Sequence, residues 1–190
     1  MPVSDERLAQ EALRGDREAF DTLVRRYYPR VLGLCRKLLG SSEAAHDAAQ
    51  EALLRAYRKL HLYDPSRRFS AWIMTVTARL CVSAGQRAQR EPTPWEEVGQ
   101  TDGGVRDETA GPVEVVERAE VTERVAQAVR SLPDLYKPVC VLRHVEGLSY
   151  QEIAEATGLP IGTVKVHLFR AKKHLRGQLA DLVEAELDQR

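Results

Sequence analysis

Five basic side chains, Lys165, Arg170, Lys172, Lys173 and Arg176, fall between Thr163 and Arg176, with His167 and His174 among them and no acid. The whole chain is balanced, at 28 Lys+Arg against 28 Asp+Glu. A solvated helix of a neutral protein ordinarily mixes signs, so the segment is read as one that meets a polyanion. Lysine and arginine neutralise phosphates and can donate to guanine O6 and N7. Bond-making chemistry has no comparable support. No nucleophile–base pair, Cys/His cluster of zinc spacing or phosphate-cradling loop is found, and the five histidines are scattered. Neither enzymatic activity nor a cofactor is expected.

The elements around the basic segment set its geometry. Ser149 and Glu152 form an S-x-x-E capping box, opening a short helix, YQEIAEAT, that stops at Gly158. After a short turn holding Leu159, a longer helix carries Val164, Leu168 and Ala171 on its inner face. This is a helix-turn-helix layout, in which the first helix holds the second at a steep angle so that its side chains reach the DNA major groove. Thr163, Lys165, Val166, His167 and Arg170 lie on or beside the exposed face. Lys172 and Lys173 extend the charge, and the helix N-terminus favours a phosphate. A solvated bundle helix and a protein-binding helix-turn-helix are the alternatives.

Charge is partitioned along the chain. Residues 1–90 carry 16 basic and 10 acidic side chains, residues 91–112 one and six, and residues 113–190 eleven and twelve. The middle segment also holds seven of the 21 glycines and prolines and has no helical period. It reads as a flexible acidic linker between two domains. Both flanks are helical by spacing: Phe20, Leu23, Val24, Tyr27, Val31, Leu34 and Cys35 form one face, after an Asp16 N-cap. Pro29 is expected to kink or divide that helix. A helix from the Ser41-Ser42 cap to about Leu60 buries Ala45, Ala49, Ala52, Leu53, Ala56 and Tyr57. A turn at DPSRRF precedes a helix with Trp72, Ile73, Val76 and Leu80 inward. Beyond the linker, Val116, Val121, Val125 and Val129 mark another helix. Ser131 and Pro133 fit the start of the next, which Pro138 should bend or shorten. Strand alternation is lacking, so the fold class is all-α, in two small helical domains. The three cysteines lie far apart in apolar runs and read as buried thiols. No signal-peptide pattern and no run of the roughly 18 apolar residues needed to span a bilayer is present. A cytoplasmic protein with no membrane insertion is expected.

Two sets of motifs carry a family resemblance. The segment SLPDLYKPVCVLRHVEGLSYQEIAEATGLPIGTVKVHLFRAKKHLR resembles region four, the promoter-reading domain, of bacterial sigma factors of the extracytoplasmic-function group, in the sigma-70 family. GDREAFDTLVRRYYPRVLGLCRKLLG resembles the first helices of sigma region two, DAAQEALLRAY its polymerase-binding helix, and RRFSAWIMTVTARL its promoter-melting segment. The resemblance covers about residues 10–90 and 115–178. It implies domains at 1–90 and 113–190 joined by the linker at 91–112.

On this resemblance, Asp47, Gln50, Glu51 and Leu54, at i, i+3, i+4 and i+7 on one helical stripe, pack on the coiled coil of the polymerase's largest subunit. An exposed leucine beside acid and amide suits a helix-docking hot spot. Ser66, Arg67, Arg68 and Phe69, with Arg79 on the following helix, are assigned to the minus-ten element. There unstacked bases lie against apolar surface while arginines hold the backbone. Thr163, Lys165, Val166, His167, Arg170, Lys172 and Lys173 are assigned to the minus-35 duplex. The chain departs from the family at four positions. Arg79 and Ser83 stand where Asn and Asp are frequent, and Val166 and His167 where Ser and Arg are frequent. Val166 suits a thymine methyl, and His167 is a weaker, pH-dependent cation. The implied partners are core RNA polymerase, promoter DNA and an anti-sigma factor. The linker carboxylates can mimic phosphate in the polymerase channel or serve as a plain tether. A helix-turn-helix regulator acting alone is the main rival. It would leave 47–57 and 64–80 without a purpose.

Overall fold

In the computed structural model the described residues are 3–90 and 112–180, with backbone alone for 86–90 and 112–119. They form eight α-helices and one 3₁₀ turn, with no strand among them. The acidic linker lies outside the described residues, apart from Pro112, which opens a helix. The N-terminal domain comprises α1 (Asp5–Leu13), α2 (Arg17–Leu39), α3 (Ser42–Lys59), a 3₁₀ turn (Leu60–Leu62) and α4 (Phe69–Arg90). The C-terminal domain comprises α5 (Pro112–Arg130), α6 (Lys137–His144), α7 (Tyr150–Thr157) and α8 (Ile161–Gln178). α1 has no counterpart among the elements read from the sequence.

Local chemistry sets most of the helix ends. Asp16 Oδ1 accepts from the N–H of Ala19 at 3.2 Å, and Ser41 Oγ from that of Ala44 at 3.4 Å. These are the side-chain bonds an N-cap supplies to otherwise orphaned donors. Gly40, at φ 77°, closes α2 in a conformation that costs other residues strain. Pro29 does not divide α2: the helix runs through it from Arg17 to Leu39. A helix-interior proline costs about 3 kcal/mol. Leu23 and Tyr27 before it and Val31, Leu34 and Cys35 after it are all buried on one face. Each apolar side chain so buried contributes about 1.5–3 kcal/mol, so packing outweighs the lost bond.

α2 is the spine of the first domain, packed by α1, α3 and α4. α3, which packs on both α2 and α4, buries the small side chains Ala45, Ala48, Ala49, Ala52 and Ala56. Tyr57, expected on that buried face, is 50% exposed, with its ring 5.0 Å from that of Phe20. All three cysteines are free and buried, and Cys81 Sγ lies 3.6 Å from Cys35 Sγ across α2 and α4.

The second domain differs from the sequence expectation at two helices. α6 begins at Lys137, with Pro138 in its first turn, where a missing N–H is harmless. Residues 131–136 form turns, so the helix starts later than Ser131 and Pro133 suggested and is shortened, one of the two outcomes expected of Pro138. On α5, Val121 and Val125 are 45% and 41% exposed, on a helix that packs sparsely against α6 and α8.

The two domains touch. α4 packs on α7, and α2 and α4 on α6. One hydrophobic cluster runs from Leu23 and Phe69 through Val139, Leu142, Leu148 and Ile153 to Val164. Arg30 Nε donates to Glu146 Oε2 at 2.8 Å and its Nη2 to the Glu146 carbonyl at 3.1 Å. The Glu146 side chain is 3% exposed.

Candidate nucleic-acid interface

α7 is fixed at both ends. Ser149 Oγ accepts from the Glu152 N–H at 3.2 Å, and the Glu152 carboxylate accepts from the Ser149 N–H at 2.7 Å, completing the capping box. Burial pushes the Glu152 carboxyl up. The two bonds to Ser149, with Arg68 and Arg67 nearby, outweigh that and leave it below its ordinary value. Gly158, in the left-handed region at φ 73°, ends the helix. The chain turns through Leu159 and Pro160 into α8, whose first turn has no side-chain cap. Its N–H donors therefore stay available to an anion.

α8 sorts its side chains by face. Val164, Leu168 and Ala171 are buried against α6 and α7. Lys165, Val166, Arg170, Lys172 and Lys173 are exposed, and Thr163 is half-buried. Six of the seven residues assigned to the minus-35 duplex are thus accessible on one helix. His167 is the exception and a correction: it is buried, at 6% exposure. Its ring meets that of Tyr136 edge-on, centroids 5.4 Å apart, and its Nδ1 has no hydrogen-bond partner. At 100° per residue, position 167 falls beside Val164, Leu168 and Ala171, and Tyr136 closes over it. Burial, with Arg170 adding to it, lowers the His167 pKa below its ordinary value, and the ring packs inside the domain instead of lying on the exposed face.

Sequence reasoning passed over Phe169, the most exposed large apolar side chain among the described residues at 71%. It lies three residues after Val166, which is 46% exposed. The signal was available, since Phe169 falls off the Val164–Leu168–Ala171 face.

In the first domain the 64–68 loop is held by its own polar groups. Asp64 Oδ1 accepts from the Ser66 N–H at 2.9 Å, a turn-forming bond that lowers its pKa. The Tyr63 hydroxyl donates to the Arg67 carbonyl at 2.6 Å. Burial, with Glu6, Asp64 and Asp5 adding to it, pushes the Tyr63 phenol up to about 12, so it stays a donor. Ser66, Arg67 and Arg68 are exposed. Phe69 is the second correction: it is fully buried, with ring centroids of Tyr27 and Tyr63 at 5.4 Å and Trp72 at 5.5 Å. Turning it outward to stack on a base would forfeit about 2–3 kcal/mol of burial, besides the aromatic contacts. Phe69 therefore supports the loop from beneath. Arg79 is exposed and its Nε donates to the Glu155 carbonyl at 2.6 Å, while Arg67 faces the Glu155 carboxylate at 3.4 and 3.5 Å.

The third predicted cluster is on α3. Asp47, Gln50 and Leu54 are exposed, Leu54 at 51%. Glu51 is half-buried and accepts from Arg55 Nε at 2.6 Å, a bond that lowers its pKa. Tyr57 lies one turn further along, so the stripe joins apolar and acidic groups. Among the described residues no group of His, Cys, Asp or Glu could hold a metal ion, and no helix is long and apolar enough to cross a membrane.

A helix-turn-helix with an exposed basic face, joined to a second helical unit with its own arginine loop, defines a two-part DNA-binding protein. Residues 23–91 match the family Sigma-70 region 2, and residues 122–175 match Sigma-70, region 4. The chain is 32% identical over 178 residues to the ECF RNA polymerase sigma factor SigW of Bacillus subtilis, covering 91% of this chain and 95% of that one. It is 28% identical over 186 residues to the ECF RNA polymerase sigma-E factor of Escherichia coli K12, covering 95% and 97%. In fold it is similar to CnrH in its complex with the cytosolic domain of CnrY, with TM-score 0.62, 23% identity, and 94% and 99% of the two chains covered. It is also similar to RpoE of Bartonella quintana in complex with the anti-sigma factor NepR, with TM-score 0.63, 19% identity, and 85% and 96% covered.

The chain belongs to the ECF sigma factors of the sigma-70 family. It is an initiation factor and not itself an enzyme: it binds core RNA polymerase, directs it to promoters and starts DNA-templated transcription.

Proposed function

We propose a division of labour within this sigma factor. Residues 1–90 act as region two, residues 91–112 as the tether, and residues 113–190 as region four. Asp47, Gln50, Glu51 and Leu54 dock core polymerase. Ser66, Arg67, Arg68 and Arg79 hold the minus-ten DNA, with Phe69 as the support beneath them. Thr163, Lys165, Val166, Arg170, Lys172 and Lys173 read and grip the minus-35 duplex, with Phe169 adding apolar contact. His167 positions α8 from within.

The observation that carries this reading is the exposed, acid-free face of α8, set behind a capped α7 and a glycine-closed turn. A groove-reading helix needs that placement. The chain acts in the cytoplasm, where promoter DNA and core polymerase are. An anti-sigma factor is the expected regulator, supported by the similarity to RpoE in complex with NepR. The linker carboxylates lie along the polymerase's nucleic-acid channel in this reading.

Run-off transcription with purified core polymerase across candidate promoters tests the proposal. Promoter-dependent transcripts are expected from the full chain. They should be lost in Arg67→Ala/Arg68→Ala at opening and in Lys165→Ala/Arg170→Ala at promoter binding. Transcripts unaffected by either pair would overturn the assignment.

A further inference from the structure

The loop proposed to hold minus-ten DNA runs directly into α4, and α4 follows a residue that cannot cap it. Its first turn carries no acid, and the residue before it, Arg68, has a side chain with no acceptor. The first four N–H groups of a helix have no partner within that helix. One of them, the N–H of Phe69, donates to Glu6 Oε1 at 3.3 Å. Glu6 lies on α1, 63 residues earlier in the chain, and outside the 23–91 segment that matches Sigma-70 region 2.

α1 is held where Glu6 can make this bond. The Asp5 carboxylate accepts from Arg26 Nη1 at 2.6 Å and from the Tyr27 hydroxyl at 2.5 Å, both on α2. Burial and the bond to Asp5 push the Tyr27 phenol up, so it stays a donor. Leu8 and Ala9 are buried, and α1 packs on α2, α4 and the 3₁₀ turn. From there contacts continue to the loop: Tyr27 meets Phe69 edge-on, Phe69 meets Tyr63, and the Tyr63 hydroxyl donates to the Arg67 carbonyl. Glu6 itself is half-buried, and a helix N-terminus favours its charge. The same charge, on the N–H that follows Arg67 and Arg68, repels an approaching polyanion. By charge alone Glu6 opposes DNA binding.

We propose that Glu6 is a positioning residue for capture of the minus-ten strand. It caps α4 from another helix and so fixes where the loop of Ser66, Arg67 and Arg68 enters that helix. Asp5 ties α1 to α2 and keeps Glu6 in place. A loop already held in its binding conformation loses less freedom when it meets its ligand. The proposal rests on the assignment of that loop to minus-ten DNA given above. It is the acceptor oxygen of Glu6 that acts, and its charge works against it. Glu6→Gln keeps an acceptor and loses the charge, whereas Glu6→Ala loses both, so the two variants should differ in direction.

The test uses the full chain in complex with core polymerase. Its probes are a single-stranded oligonucleotide carrying the non-template minus-ten segment of a promoter active in run-off transcription, and the minus-35 duplex of that promoter. Glu6→Ala should bind the oligonucleotide about fivefold more weakly, the worth of one helix cap. Glu6→Gln should bind it at least as tightly as the wild type, and both variants should bind the minus-35 duplex as the wild type does. Oligonucleotide binding by Glu6→Ala equal to or tighter than wild type would overturn the proposal. So would an equal loss in Glu6→Gln, or an equal loss on the minus-35 duplex. Circular dichroism reports whether each variant keeps its helices. If Glu6→Ala does not, Glu6→Leu, which keeps bulk on α1 but has no acceptor, decides alone: a loss confined to the oligonucleotide supports the proposal and no loss overturns it. Loss of helicity in both would assign Glu6 to stability and overturn the proposal as well. Failure of the underlying reading looks different, because Arg67→Ala/Arg68→Ala would then bind the oligonucleotide as tightly as the wild type.

Discussion

The imidazole of His167 stands edge-on to the ring of Tyr136, and the Tyr136 hydroxyl accepts a hydrogen bond from Arg170 Nη1 at 3.3 Å. One tyrosine from the turn before α6 thus packs a buried histidine and steadies an exposed arginine of the same recognition helix. His167 and Arg170, one turn apart, have opposite fates because Tyr136 lies between them.

A pH dependence follows from this arrangement. His167 has its folded-state pKa depressed, chiefly by burial. Its contribution to stability is full above the unfolded pKa of about 6.5. As pH falls from there through the depressed folded value, the unfolded chain takes up a proton that the folded chain resists, and stability declines. Thermal unfolding followed from pH 7.5 to 5.5 should show this loss, and His167→Phe, which keeps an aromatic ring against Tyr136, should reduce it. An equal loss in the variant would assign the effect to other groups.

Phe69 and its two neighbouring arginines should separate cleanly on substitution. Phe69→Ala empties a site enclosed by Tyr27, Tyr63 and Trp72, and should cost about 3–5 kcal/mol of stability. Arg67→Ala and Arg68→Ala are exposed changes and should leave unfolding within about 0.5 kcal/mol of wild type, while impairing open-complex formation. Denaturant melts alongside permanganate footprinting of the promoter distinguish the two classes.

The basic face of α8 should show itself in salt dependence. Lys165→Ala together with Arg170→Ala should weaken binding to a minus-35 duplex and lower the slope of log K against log salt by about one per lost phosphate contact. A lower affinity with an unchanged slope would place the two side chains on base edges instead. His167→Ala should leave that slope near the wild-type value, because the ring is buried.

Gln50→Ala/Leu54→Ala should reduce core polymerase binding by tenfold or more, as truncation of a docking hot spot of about 2 kcal/mol does. The same full-length variant should bind minus-35 duplex as the wild type does. Loss of both activities would indicate misfolding and not a docking defect.

The elements of this fold are legible in the sequence because their determinants act over one or two turns. Asp16, Ser41 and the Ser149–Glu152 box sit where their side chains reach the first N–H groups of a helix, and Gly158 sits where one must end. The charges of α8 are legible for a similar reason: Lys165, Arg170, Lys172 and Lys173 have no acid within the segment to pair with, and Val164, Leu168 and Ala171 define the face they must avoid.

Tertiary structure decided the rest. Phe69 reads as a surface aromatic because two arginines and a serine precede it, yet Tyr27 of α2 and Tyr63 enclose it. Position 167 lies at the edge of the buried stripe, where periodicity alone does not settle exposure, and Tyr136, distant in sequence, covers it. Val121 and Val125 look like core by spacing but find too little partner surface. The docking of α7 on α4, with Arg79 on the Glu155 carbonyl and Arg30 on Glu146, has no local signature. Those pairings exist only where two chain segments, separated by the acidic stretch, meet in space. Helix ends and charged faces are properties of a short segment, whereas burial is a property of whatever packs against it.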